Sequence, residues 1–222
     1  MSDMPAVVIL SRNGDNLRAC VQSILDNQAG GEPADIIVVD DGARAGAPDL
    51  PVTWIEGQTP FVFARNANIG IQAAGRDCIL MNDDARLMTP QGFTELARVA
   101  GAQPTIGLCS AAISGVVCNP MQRRHWPPRL RVIPVMVAFM AVFIPGAIYQ
   151  AIGPLDERYV GYGYDDNDYC RRVTVAGLLL ATWDGCLVNH DGQLPSSFRT
   201  RPDINALYAM NREFYQKKWE GK

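Results

Sequence analysis

Short, unbroken apolar runs alternate with helix-spaced apolar residues through the first half of the chain. Residues 6–10 (AVVIL) are followed, over 13–28, by Leu17, Val21, Ile24 and Leu25 at helical spacing. The alternation continues with strand-like runs at 35–39, 52–55 and 78–81, a small-residue-rich helix over 64–74, and a helix over 90–100. That helix opens on Pro90 and aligns Phe93, Leu96 and Val99 on one face. Strands apolar at nearly every position, rather than every second one, are covered on both faces, as in parallel sheets flanked by helices. The pattern therefore predicts an α/β, Rossmann-like fold with a mostly parallel sheet. In such sheets ligands sit beyond the carboxyl ends of the strands. This puts Ser11-Arg12-Asn13, Asp40-Asp41-Gly42 and Asn82-Asp83-Asp84 on one rim.

The second half is less regular. It reads as a strand near 106–113, a polar loop over 114–131, a long apolar segment over 132–152, an acidic loop over 153–168 and a helix near 168–177. A strand at 178–183, a loop bearing His190 and a final helix over 203–219 complete it. The final helix is expected to bury Ile204, Leu207, Tyr208, Met210, Phe214 and Tyr215. The segment 132–152 has no charge and is long enough to cross a bilayer, but Pro134, Pro145 and Gly146 interrupt it. It is expected to be a buried strand followed by a helix, with no transmembrane segment.

Composition narrows the picture. At 222 residues and 48% hydrophobic, the chain suits a single domain over 1–222. A net charge of −3 disfavours broad nucleic-acid binding, although Arg123, Arg124, Arg129 and Arg131 could form a local basic patch. The six cysteines lack metal or redox spacing, so they are expected to be buried, reduced thiols in a cytoplasmic protein. The N-terminus lacks the basic start and long apolar stretch of a signal peptide.

Candidate chemistry sits at the polar clusters. Asn82-Asp83-Asp84 follows an apolar run and could hold a divalent cation or simply cap a turn. Asp40-Asp41-Gly42 could receive a ribose or base, or be a plain turn. Arg12 and Arg65 could face a diphosphate. In GPLDERYVGYGYDDNDYCRR, five acids fall between Asp156 and Asp168. Acids this close repel and raise one another's pKa unless compensated. Alternatively, they form a solvated loop and an acidic first helical turn. His190, in CLVNHDG, could serve a metal or a phosphate, or be structural.

Taken in order, the stretches VVILSRNGDNLRACVQSIL, DIIVVDDG, FARNANIGIQAAGRDCILMNDDARL, FMAVFIPGAIYQAIGPLDERYVGYGYDDNDYCRRV and LVNHDG resemble the inverting GT-A glycosyltransferases of family 2, especially the rhamnosyltransferase-like branch. The likeness spans roughly residues 6–192. It implies a GT-A domain with a nucleotide-sugar-binding half (about 1–105) and an acceptor-side half (about 106–222) that includes the C-terminal helix. By resemblance, Asp40 contacts the nucleotide, and Ser11 and Arg12 line the same pocket. Arg65, or alternatively Asn68, serves the donor. Asn82-Asp83-Asp84 takes the Asp-x-Asp position, with Asp84 as metal ligand and Asn82 and Asp83 toward the donor. His190 helps bind metal or diphosphate. Asp165-Asp166 corresponds to the family's Glu-Asp pair, making Asp166 the expected base, with Asp165 and Tyr164 toward the acceptor.

The resemblance further implies Mn²⁺ or Mg²⁺, a nucleoside-diphosphate-sugar donor and a hydroxyl acceptor, whether glycan, lipid carrier, small molecule or modified nucleic acid. The reaction would be one in-line displacement assisted by a carboxylate base. A nucleotidyltransferase would carry a Gly-rich, basic loop after the first strand, and SRNGDNL is not one. A non-catalytic nucleotide-sugar-binding domain is the other rival.

Overall fold

A computed structural model of the protein describes residues 4–28, 35–116, 119–161, 163–190 and 202–221. Cys118, and the Asp191 and Gly192 of the last motif, lie outside the described residues. The chain runs β1 (Ala6–Ser11), α1 (Gly14–Asn27), β2 (Ile36–Asp40), β3 (Thr53–Glu56), α2 (Phe63–Ala74), β4 (Cys78–Asn82), β5 (Arg86–Leu87), α3 (Gly92–Gly101) and β6 (Ile106–Gly115). It continues through β7 (Leu130–Val132), β8 (Ala141–Ile144), α4 (Gly146–Ile152), α5 (Asp165–Val175), β9 (Leu179–His190) and α6 (Ile204–Trp219). One sheet orders the strands β3-β2-β1-β4-β8-β6-β9-β5, with β7 paired to β9. The first four are mutually parallel, and β8 is the antiparallel strand joining them to the parallel pair β6–β9.

Alternation along each strand divides the core. Val7 and Ile9 pack with Leu17, Val21 and Ile24 of α1 on one face. Ala6, Val8 and Leu10 pack with Ala64, Ala67 and Ile71 of α2 on the other. Gly70 lets α2 lie close to the sheet, because a Cβ there would sit 2.3 Å from Val8 Cγ1. The chain moves outward from β1 through β2 to β3, then returns to place β4 on the other side of β1. The crevice opens at that reversal. Register pairs Ser11 with Asp40 and Leu10 with Asn82, so the three polar clusters end level.

The segment 132–152 is a strand-then-helix core element, with Val137 through Ile144 buried. No helix among the described residues is long and apolar enough to cross a membrane. Four local expectations shift. The helix after Pro90 begins two residues later, at Gly92, because Gln91 turns through the left-handed region (φ 54°). The last strand does not stop at Trp183: it runs to His190, so that histidine is a strand residue rather than a loop residue. The acidic helix begins at Asp165 rather than near 168. On α6, Tyr208 and Met210 are exposed, at 44% and 47%, and Asn211 is the buried residue.

The basic patch also dissolves in part. Arg131 grips the buried Asp184 through Nε and Nη2, and Arg124 donates to the Asp184 carbonyl. Among the described residues, Cys20, Cys78, Cys109, Cys170 and Cys186 are free and buried. Burial pushes their thiols up and leaves them unreactive.

Candidate active site

The ends of β1 and β4 and the start of α5 surround a cavity of about 440 Å³, within the range of small-ligand sites. Ser11, Arg12, Asn82, Asp83, Asp84, Tyr164, Asp165 and Asp166 all line it. Asn13 closes α1 at its rim, its Oδ1 accepting from the Asp15 and Asn16 amides. The Ser11 hydroxyl donates to Asp83 Oδ2 at 2.6 Å. Burial nevertheless pushes the Asp83 carboxyl up to about 6, with the neighbouring Asp84 adding to the rise.

Asp84 is buried and meets His190 behind it, Oδ1 to Nε2 at 3.1 Å. The other ring nitrogen, Nδ1, lies 2.9 Å from the Val116 carbonyl. A carbonyl can only accept, so Nδ1 carries the hydrogen. In the neutral ring Nε2 then turns a lone pair toward the carboxylate. Two acceptors at this spacing call for a proton or a cation between them. Adjacent ligands of an octahedral ion bound at about 2.1 Å are separated by about 3.0 Å, so the pair fits the edge of such a site. A histidine donating its other nitrogen to a backbone carbonyl is also the usual arrangement at metals. Among the described residues no group of three or more His, Cys, Asp or Glu side chains could hold a metal. The remaining ligands would have to come from substrate and water.

Across the cavity, Asp165 and Asp166 open α5. Asp166 accepts from the Asn167 amide at 2.8 Å. A helix N-terminus favours ionised carboxylates, yet desolvation dominates here and pushes both carboxyls up, with the charge of Asp166 adding to the rise at Asp165. Tyr164 precedes them with φ 73°, an unusual conformation for an aromatic residue. The other loop acids serve structure. Asp156 binds Arg158 and Lys218, and Asp168 binds Lys218, Trp219 and Tyr159 and pairs with Arg172 one turn on.

Three predicted donor residues are engaged elsewhere. Asp40 turns away from the cavity, its Oδ1 accepting from the Gly42 and Arg44 amides. Asp41 lines the cavity instead, its Oδ2 3.1 Å from Arg12 Nε. Arg65 donates to the Pro60 carbonyl. Asn68 is buried and saturated: its amide donates to Leu155 O and Glu157 Oε1, and its oxygen accepts from Leu155 N and the Tyr149 hydroxyl. Asn68 therefore braces the acidic loop against α2 and has no hydrogen-bonding capacity left for a donor. The sequence reading also missed Asn16, Phe61, Phe63 and Tyr208, all of which line the cavity. The Oδ1 atoms of Asn16 and Asp41 are buried without a hydrogen-bond partner.

Comparison with known proteins gives a consistent picture. Residues 6–145 match the sequence profile described as glycosyl transferase family 2. An uncharacterized protein, y4gI, of Sinorhizobium fredii (strain NBRC 101917 / NGR234) is 23% identical over 256 residues, covering 99% of this chain and 28% of the relative. The chain thus spans little more than a quarter of that relative's length. A crystal structure of GalNAc-T7 with UDP, GalNAc and Mn²⁺ is similar at TM-score 0.74 and 14% identity, over 99% of this chain and 48% of that one. A crystal structure of S. aureus TarS is similar at TM-score 0.58 and 11% identity, over 83% of this chain and 36% of that one. At these identities the two structures show a shared GT-A-like fold.

Proposed function

We propose that this chain, which belongs to glycosyl transferase family 2, moves a sugar from a nucleoside diphosphate to a hydroxyl acceptor in one in-line, inverting displacement. The observation that carries the reading is the pairing of two unlike acid sites across one cavity. On one side is Asp84, backed by the buried His190 at 3.1 Å; on the other are the carboxylates of Asp165 and Asp166. The first suits a cation and a leaving diphosphate, the second an incoming hydroxyl.

Asp84 Oδ1 and His190 Nε2 would hold Mn²⁺ or Mg²⁺, which when bound neutralises charge on the departing diphosphate. Asp41 and Asn16, with unpartnered buried acceptors, suit donors of the base or ribose. Arg12 stands beside them at the cavity wall. Ser11 steadies Asp83 toward the donor side. Asp166 takes the acceptor proton as oxygen attacks the anomeric carbon. Its raised pKa suits that role, since a base works best when its pKa lies near the working pH. Asp165, whose pKa is also raised, stays beside it to bind the acceptor.

The rhamnosyltransferase-like branch and a cytoplasmic site of action remain part of this reading, as does a deoxyhexose or hexose donor. UDP and Mn²⁺, present in the GalNAc-T7 structure, are the first pair to test. A screen of nucleotide sugars with Mn²⁺, reading release of free nucleoside diphosphate, identifies the donor. No release from any nucleotide sugar, with or without acceptors, would favour a non-catalytic nucleotide-sugar-binding domain.

A further inference from the structure

The cavity has one wall that the family match, ending at residue 145, does not reach. The loop before Asp165 and the C-terminal helix build it together. Gly161, Gly163 and Tyr164 all have positive φ, at 77°, 86° and 73°. The two glycines admit α6 at close range: a Cβ on Gly161 would lie 2.6 Å from Leu207 Cδ1, and one on Gly163 2.9 Å from Tyr208 Cδ2. Asn211, buried on α6, donates its amide to the Val160 carbonyl at 2.8 Å and to the Gly163 carbonyl at 3.0 Å. The Tyr164 ring, held by this loop, packs against Tyr208 and Tyr215 at centroid distances of 5.1 and 5.4 Å.

Tyr208 lines the cavity, yet remains 44% exposed. Its ring is therefore neither core nor fully solvated: it forms part of the wall of a cavity that two carboxylates also line. A ligand seated there needs one apolar face for the rings and hydroxyls for Asp165 and Asp166. A pyranose ring has both. A hydrocarbon chain would leave the carboxylates desolvated and unpaired, at high cost. Tyrosine supplies large contact area with little conformational entropy to lose.

Resting on the glycosyltransferase reading above, we infer that Tyr208 and Tyr164 form the acceptor subsite, that the acceptor is a glycoside, and that Asn211 is the positioning residue that holds this wall beside Asp165 and Asp166.

The test uses the full chain with UDP and Mn²⁺ present and methyl glycopyranosides as probes, read by saturation-transfer NMR, with decyl phosphate as the contrasting arm. At least one glycoside should bind through the protons of its apolar face. Tyr208→Ala should weaken that binding about tenfold or more, while Tyr208→Phe, which keeps the ring, should retain it. Asn211→Ala should weaken glycoside binding while a thermal melt still shows a folded protein. UDP affinity, measured by calorimetry, separates the two levels of the argument. If UDP binds with Mn²⁺ but no glycoside does, if Tyr208→Ala binds glycosides like the wild type, or if only decyl phosphate binds, the acceptor subsite is overturned and the donor reading stands. If wild-type protein binds no nucleoside diphosphate at all, the underlying reading fails and takes the subsite with it.

Discussion

Replacing Asp166 by asparagine tests the proposed chemistry and its energetic cost in one variant. The substitution keeps the volume and an oxygen that can accept from the Asn167 amide, but it removes basicity. Loss of a general base costs about 10²–10⁴ in rate, or about 2.7–5.5 kcal/mol on the barrier. Transfer, followed by release of nucleoside diphosphate, should fall by that factor while nucleotide affinity with Mn²⁺ holds. In the wild type the working form is the ionised one, so kcat/KM should fall as pH drops through the window of about 6–7 in which Asp166 and Asp165 take up protons. The variant should lose that limb.

Stability moves the other way. The folded-state pKa of Asp166 lies above its unfolded value, so the folded chain holds the proton more tightly. That contribution is fully present below about pH 4 and is lost as pH rises through about 6. Sharing of the proton with Asp165 and a place on the cavity wall hold the expected gain on neutralisation to about 1 kcal/mol. Asp166→Asn should therefore raise Tm by about 2–4 °C at pH 8 and leave it unchanged at pH 4. Near-normal transfer by Asp166→Asn with an inactive Asp165→Asn would move the base by one residue. A variant that loses both transfer and Tm at pH 8 would mean the carboxylate braces the fold, and the reasoning would be refuted.

Asp84→Ala and His190→Ala should each lower UDP affinity in Mn²⁺ by about 10–100-fold, toward the value measured in EDTA; equal affinity in Mn²⁺ and EDTA for the wild type would remove the metal from the site. Asp41→Asn should weaken UDP binding about tenfold by calorimetry, whereas Asp40→Asn, which disturbs only the turn amides of Gly42 and Arg44, should lower Tm and leave affinity within threefold. Asn68→Ala strands the buried partners of a saturated amide and should cost about 2 kcal/mol, lowering Tm by about 4–8 °C with nucleotide affinity intact. A loss of UDP affinity in Asn68→Ala without a change in Tm would return that residue to the donor site.

The parallel half of the fold was legible because its strands are apolar at nearly every position before their polar ends, and period and length together leave few alternatives. The rim clusters followed from topology, since strands ending level must present their last residues together. What stayed hidden depended on single-residue turns and on long-range partners. Whether Asp40 or Asp41 faces the cavity is decided by how the chain turns toward Gly42, and adjacent side chains point opposite ways. β9 was cut short at Trp183 because Asp184-Gly185 reads as a turn. Asp184 is instead a buried strand residue neutralised by Arg131, fifty-three positions away. Asn68 sits in a small-residue helix and resembled a donor ligand; its partners, Tyr149, Leu155 and Glu157, lie more than eighty residues on. Asn211 and Tyr208 carried no local sign of their surroundings, because their role exists only where α6 meets Gly161 and Gly163.

The distribution of unfavourable features explains why the cavity, rather than another part of the surface, is the place for chemistry. A tyrosine at φ 73°, two neighbouring carboxyls with raised pKa values, and unpartnered oxygens on Asp41 and Asn16 all face the same space. Each opposes folding by about 1–3 kcal/mol, against a total stability of about 5–15 kcal/mol for a domain. Such features persist only where surrounding structure fixes them. Here that structure is specific: Asn68 pins the loop to α2, Lys218 bridges Asp156 and Asp168 at 2.7 Å each, and Asn211 holds Val160 and Gly163. These supports come from α2 and from α6, which stand far apart in the sequence. The acidic loop is thus held from two directions by residues that do not line the cavity, which keeps Asp165 and Asp166 side by side at its wall.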